Sequence, residues 1–481
     1  MVFNSFDFAI FFSIFFLGYW LVFNRKTIWQ NSFLLIACYV FYASADYRFL
    51  LFLLGVSTLN YWIGIQLVKS KWAKWFFRLG MLQGILSLFL FKYLDFFIQF
   101  LSKLIGAFGL HAEWSTLQLI APVGISFFTF RMLSYLIDIR NEKTEPCRNP
   151  IVFFSYVAFF PSLLSGPIDK AQLLIPQLEK QRNFDYEMAV DGLRQFLWGL
   201  FKKVLVADGC VAFTNLYFDG FEDYGASTLL LGAVLYTFQI YADFSGYSDM
   251  AIGISKVMGL RITKNFDFPF FAQNIAEFWR RWHISLTSWL TEYVFTPLSI
   301  QFRDWGNNGL ILAILVNFLL VGMWHGANWT FVLFGLLHGL YYIPLILTGK
   351  MNKRKKLSKD KRWPTAKELM NMSLTFILFM VSMILFKSPD LEAAWGYFTG
   401  IFDKSLLGMP AIPISRFMLI VVVAGIFVML FVEWLQRKKD HGLVLSGVKN
   451  SFVRLAIYYG LVYLIIRYGS WDNNQFIYFQ F

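Results

Sequence analysis

The sequence predicts an all-α, polytopic membrane protein with one integral-membrane domain over residues 1–481. Three observations carry that expectation. Hydrophobic residues make up 57% of the chain and charged residues 15%, where a soluble domain carries roughly 25% charged. Apolar stretches recur along the whole length, and about 20 such residues cross a bilayer as a helix. Basic clusters abut these stretches, the pattern expected of cytoplasmic loops.

Residues 6–23 form the first expected span, closed by Arg25 and Lys26. No basic stretch precedes this apolar core and no small-residue cleavage site follows it, so it reads as a span and not as a removed leader. Apolar stretches follow at 33–41, 49–68, 76–100 and 117–137. Residues 151–164 come next, and Ser165-Gly166-Pro167 ends them as a turn. The stretches at 193–206 and 229–241 are short for a crossing. Those at 310–323, 329–347, 372–386, 417–435 and 452–466 complete the set. Several cannot cross alone, so about ten to twelve true spans are expected, with re-entrant or interfacial helices beside them. Residues 277–298 are different. They mix Glu277, Arg280, Arg281, His283 and Glu292 with aromatics, which fits an amphipathic helix at the interface or buried against protein.

The net charge of +13 is unevenly placed. Lys350, Lys353, Arg354, Lys355, Lys356, Lys359, Lys361 and Arg362 crowd one loop. Lys69, Lys71 and Lys74 follow one span, and Arg437-Lys438-Lys439 close another. Each run abuts an apolar span, so these clusters read as cytoplasmic flanks facing membrane lipid, not as a nucleic-acid surface. With Arg25-Lys26 inside, both chain termini fall outside. The three cysteines, Cys38, Cys147 and Cys210, have no paired spacing, so neither a disulfide framework nor a metal site is expected. No internal repeat is visible, which counts against a transporter of inverted halves.

The chemistry concentrates in residues 239–340. His283 and His325 each follow a tryptophan, in Trp282-His283-Ile284-Ser285 and Trp324-His325-Gly326-Ala327-Asn328, and the whole chain has only 5 His. An ionisable group at membrane depth is costly and marks a candidate site. Imidazole also moves protons near neutral pH. His338 would face away from His325 on a continuous helix and reads as structural, and His111 and His441 sit in loops. In Tyr241-Ala242-Asp243-Phe244-Ser245-Gly246-Tyr247-Ser248-Asp249, the carboxylates and hydroxyls have two equal readings. A broken helix lines a polar cavity, or Asp243 or Asp249 caps a helix and pairs with Arg280 or Arg281. Arg280 and Arg281 themselves read as interfacial anchors or as partners of a donor's phosphates. No nucleophile elbow, phosphate loop or zinc-protease motif is present. A histidine base without a paired serine points to direct transfer, in which the base takes a hydroxyl proton as the oxygen attacks a thioester. A transporter or flippase with histidine proton relays is the rival of another class.

Tyr241 to Gly253, Phe278-Trp279-Arg280-Arg281-Trp282-His283-Ile284-Ser285-Leu286 and Trp324-His325-Gly326-Ala327 together resemble the membrane-bound O-acyltransferase superfamily. The likeness is to its bacterial branch of alginate O-acetylation, with peptidoglycan O-acetylation and teichoic-acid D-alanylation as relatives. The resemblance implies a ring of spans around a thinned centre, where a cytoplasmic funnel and an outer cavity meet near the catalytic histidine. It maps that histidine to His325 and the second family histidine to His283. Asp243, Ser245, Asp249, Arg280, Arg281, Trp324 and Asn328 become the residues expected to bind or position substrate. It implies no permanently bound cofactor, acetyl-coenzyme A as donor, and a separate extracytoplasmic acyltransferase as partner. A bacterial cytoplasmic membrane is the expected place. D-alanyl transfer from a carrier-protein thioester is the rival chemistry. Lipid or sterol acylation within the superfamily is disfavoured by the bacterial-branch motifs.

Overall fold

A computed structural model describes residues 1–108, 119–351, 363–471 and 476–477. His111, residues 117–118 at the head of one expected span, and the basic cluster from Lys353 to Arg362 lie outside the described residues. Every regular element among the described residues is a helix. Eight of these helices are long and apolar enough to cross a membrane: Thr27–Asp46, Arg48–Lys69, Ala73–Ala107, Arg303–His325, Trp329–Leu347, Ala366–Lys387, Arg416–Leu435 and Ser451–Tyr468. The chain is a multi-pass membrane protein. Its backbone groups are satisfied within helices because the bilayer core offers no water to bond them.

The helices gather into two compact units. One comprises Met1–Leu193 with Ala251–Thr263, the other Arg194–Met250 with Lys264–Phe481. In the first unit the expected span at 151–164 is instead two short helices, Pro150–Val157 and Phe160–Leu163. Two causes are visible. Pro161 removes a backbone donor at the start of the second piece. Arg131, fully buried, then collects the carbonyls that the break frees. It donates to the carbonyl oxygens of Tyr156 (3.3 Å), Val157 (3.2 Å) and Ser162 (2.8 Å), and to the Ser162 hydroxyl. The turn predicted at Ser165-Gly166-Pro167 is present, and only glycine fits it. A Cβ on Gly166 would lie 2.3 Å from the Ser162 Cα.

The second unit is organised by two helix pairs. In the first, residues 194–200, the part of the Tyr186–Leu200 helix in this unit, continue through a π-helical stretch, Phe201–Ala207, into Asp208–Asp219. Their neighbour is residues 226–250 of the Ala226–Val257 helix, which is unbroken over 32 residues. The polar segment around Asp243 therefore lies within a continuous helix, so the broken-helix alternative does not hold. Within this unit their backbones approach closely: a Cβ on Gly199 would sit 2.5 Å from the Gly246 carbonyl oxygen. The other pair is the hairpin of Gly306–His325 and Trp329–Leu347. A Cβ on Gly322 would lie 2.1 Å from the Phe331 oxygen, and one on Gly335 2.2 Å from the Phe318 oxygen. Small residues of this kind let membrane helices pack backbone to backbone.

That contact leaves no room for a methyl group. Gly335→Ala is expected to lower the thermal midpoint of the purified protein in detergent by several degrees, since over-packing costs about 1–3 kcal/mol. Gly460→Ala, where a Cβ meets nothing within 4 Å, is expected to be neutral or slightly stabilising. Equal behaviour of the two variants would contradict the packing described.

Candidate active site

His325 is the last residue of the Gly306–His325 helix and is buried. The glycine contacts of the hairpin fix where that helix ends. Aromatic rings enclose the imidazole: Trp324 at 4.8 Å between centroids, Phe386 at 4.8 Å and Phe334 at 5.6 Å. The chain leaves through Gly326, whose Cβ would collide with the Phe331 ring at 2.7 Å. Asn328 then caps the next helix by accepting from the Thr330 N–H (3.1 Å) and donates to the Pro389 oxygen (2.7 Å).

His283 immediately precedes the Ile284–Leu290 helix with φ 45° and ψ 53°. This left-handed backbone costs a non-glycine residue roughly 1–2 kcal/mol, so the surroundings must hold it. They do so through Asn265. Its backbone oxygen accepts from the Ile284 N–H (2.8 Å) and its side-chain Oδ1 lies 3.0 Å from His283 Nδ1. The His283 ring meets Phe244 edge-on at 4.6 Å and Trp324 at 5.3 Å. Trp324 thus stands between the two imidazoles and brings them to one place. His283 lies outside the eight spanning helices, and burial pushes its pKa down to about 3. The ring is neutral near pH 7.

Behind this site lies a buried charge cluster. Lys203 bridges Asp243 (2.7 Å) and Asp208 (2.8 Å). Lys202 pairs with Asp249 at 2.6 Å and donates to the Ser245 hydroxyl at 2.9 Å. Glu433 accepts from the Tyr241 hydroxyl at 2.8 Å and lies 3.9 Å from Lys202. Asp243 also accepts from the backbone N–H of Ile477 at 2.8 Å. The charge partners of Asp243 and Asp249 are therefore lysines, which corrects the second of the two readings, in which one of these acids pairs with Arg280 or Arg281. The reason is register. Tyr241, Ser245 and Asp249 recur every four residues and share one face of their helix, which Lys202 meets. Phe244 and Ser248 share the face that meets His283 and Asn265.

Arg281 pairs with Glu277 at 2.6 Å along its own segment. Arg280 lines a cavity of about 560 Å³, together with Trp279, Ile284, Ser288, Asn317 and Val321. Arg280 donates to the Met351 carbonyl oxygen at 3.2 Å. Its Nη2 and the Asn317 Oδ1 are buried with no hydrogen-bond partner among the described residues. Ile284 follows His283 and Val321 lies one helical turn before His325, so the cavity reaches the segments that carry both histidines. His338 is held elsewhere. It accepts from Trp279 Nε1 at 3.1 Å and meets the Ser382 hydroxyl at 3.0 Å.

The structure thus brings His283, Trp324 and His325 together, places Arg280 in the adjoining cavity, and engages Asp243, Ser245 and Asp249 with lysines. Sequence reasoning missed Lys202, Lys203, Glu433, Asn317 and Asn265. For the first three a signal existed: a charge inside an apolar stretch needs a partner of opposite sign.

Residues 36–386 match the membrane-bound O-acyltransferase family. The chain is 35% identical over 411 residues to "Probable alginate O-acetylase AlgI" of Pseudomonas aeruginosa, covering 84% of this chain and 75% of that one. It is 34% identical over 443 residues to the protein of the same name from Azotobacter vinelandii, covering 89% and 85%. The "Peptidoglycan O-acetyltransferase" of Helicobacter pylori is 31% identical over 414 residues, covering 79% and 75%.

Removing the cation between Asp208 and Asp243 exposes the cost of the cluster. Lys203→Met is expected to destabilise the protein by about 3–5 kcal/mol, the usual result of deleting one partner of a buried pair. Thermal unfolding in detergent measures it, and adding Asp243→Asn is expected to recover part of the loss. An unchanged Lys203→Met protein would show that the pair contributes nothing.

Proposed function

The chain belongs to the membrane-bound O-acyltransferase family, and from that premise we propose that it transfers acetyl groups from cytoplasmic acetyl-coenzyme A for O-acetylation of an extracytoplasmic polysaccharide of the alginate kind. One observation carries this reading: two buried imidazoles flank Trp324, next to a cavity holding an arginine and an amide oxygen.

The chemistry follows from the groups present. The acceptor hydroxyl attacks the thioester carbonyl as His325 takes its proton. A carbon–oxygen bond forms, the carbon–sulfur bond breaks, and the proton passes from His325 to the leaving thiolate. His283 and Trp324 orient the reacting groups. In the cavity, Arg280 meets an anionic group of the donor, and Asn317 Oδ1 accepts from a donor N–H. Asp243, Ser245 and Asp249 act at one remove, by fixing the helix that carries Phe244. Asn328 acts likewise by capping the helix after His325. The aromatic enclosure keeps water from the thioester. We place the protein in a bacterial cytoplasmic membrane with both termini outside. A separate extracytoplasmic acyltransferase receives the acetyl group there, and no cofactor is bound permanently. The names of the relatives support the acetyl group and a polysaccharide acceptor.

Labelled acetyl-coenzyme A tests this directly. The purified wild type is expected to consume the thioester. His325→Ala, present in the membrane at equal amount, is expected to lose about 10²–10⁴-fold, the worth of one positioned acid–base group. Arg280→Ala is expected to raise KM with kcat retained, as loss of ground-state binding does. Full activity in His325→Ala would refute the assignment of the base. Consumption of a D-alanyl carrier-protein thioester in place of acetyl-coenzyme A would refute the acetyl donor.

A further inference from the structure

We propose that Asn265 is a positioning residue that locks His283 in the tautomer protonated at Nδ1, leaving the lone pair on Nε2. The inference deepens the acyl-transfer reading and uses it for one of its two readouts. It stands on hydrogen-bond directions that leave a single consistent assignment.

Asn265 is fully buried in the loop before the Ile275–Trp279 helix. An asparagine amide has one accepting and one donating end, and their identity is settled by neighbours whose roles are fixed. The Ser285 backbone N–H can only donate, and it lies 3.2 Å from the Asn265 Oδ1 position. That atom is therefore the oxygen. The Ser285 hydroxyl also reaches it, at 2.9 Å. The other end, Nδ2, donates to the Ser248 hydroxyl at 3.1 Å. With the oxygen so placed, His283 Nδ1 at 3.0 Å faces an acceptor and must carry the proton. In a neutral imidazole the second nitrogen, Nε2, then bears the lone pair.

The anchor is stiff on both sides. Ser248 ties the amide to the Ala226–Val257 helix, and the Ile284 N–H donates to the Asn265 backbone oxygen at 2.8 Å. Moving the His283 proton to Nε2 would set two acceptors, Nδ1 and the Asn265 oxygen, against each other. Turning the ring over would put a carbon in place of Nδ1 and lose the bond. The consequence is a division of labour between the two histidines. A neutral His283 offers an acceptor at Nε2, which suits it to orient a hydroxyl nucleophile. It cannot donate from Nε2 to an oxyanion. Nothing in the local sequence, Thr263-Lys264-Asn265-Phe266-Asp267, announces this role.

The test uses the full-length protein with ¹⁵N-labelled histidine. The chain has 5 His, and the His283 signals are identified by their loss in His283→Gln. Wild type is expected to show His283 protonated at Nδ1 and bare at Nε2. Asn265→Leu is expected to lose that signature and to lower kcat roughly 10- to 100-fold at unchanged KM, as removal of the partner that orients a histidine does. Asn265→Asp retains an acceptor, and is expected to keep the signature and most of the turnover. A wild-type His283 protonated at Nε2 would overturn the proposal, as would an Asn265→Asp protein that resembles Asn265→Leu. If Asn265→Leu does not fold, the wild-type and Asn265→Asp spectra decide the matter. If acetyl-coenzyme A is not consumed by wild type, the donor reading fails while the spectra still judge Asn265.

Discussion

The interior of a membrane protein tolerates a charge only when an opposite charge or a set of hydrogen-bonding groups answers it, and the arrangement of the second unit follows from meeting that demand at Lys202 and Lys203. On an α-helix, consecutive residues point about 100° apart. The π-helical stretch at Phe201–Ala207 widens the turn where these lysines sit, and both are buried. Each then finds carboxylates on a neighbouring helix. Such pairs contribute little net stability, because desolvation offsets most of their attraction, but they penalise every arrangement that separates them. They therefore act on register. Once Tyr241, Ser245 and Asp249 are committed to Lys202, the direction of Phe244 and Ser248, about 100° round the helix, towards the histidine side is no longer free.

The site itself is held by different physics. His325 is placed by backbone approach at Gly322 and Gly335, His283 by a left-handed backbone and an amide, and Trp324 by both neighbours. None of these is a charge interaction. The result is an aromatic enclosure that holds the two buried imidazoles. Alongside lies a cavity into which Arg280 and Asn317 reach among apolar, hydroxyl and carboxylate side chains. In such surroundings a hydrogen bond is stronger than in water and a misplaced proton is more costly.

What the sequence shows of this, and what it hides, divides along the range of the interactions. An all-α membrane protein is legible from composition and from runs of apolar residues, because each span satisfies its own backbone. His283 and His325, each directly after a tryptophan, stand out because the chain has only 5 His. The turn at Gly166 is legible because its requirement is local. The break in residues 151–164 is legible only in part, since Pro161 is local but Arg131 reaches from another helix. The pairing of Asp243 with Lys203 spans forty residues of sequence, and averaging hydropathy over a stretch conceals two lysines among aliphatic neighbours. Asn265 reads as an ordinary loop residue, and its importance appears only when Ser248 and His283 come to either side of it.

One bond in the charge cluster has a consequence for how the protein is made. Asp243 receives its backbone donor from Ile477, 234 residues further along the chain. Ribosomes deliver residues in order, so the helices around Asp243 enter the bilayer long before that donor exists. Between those moments the newborn protein holds an aspartate whose final partner has yet to be synthesised. The bond from Ile477 to Asp243 therefore forms late, after the helices that surround this acid have been made.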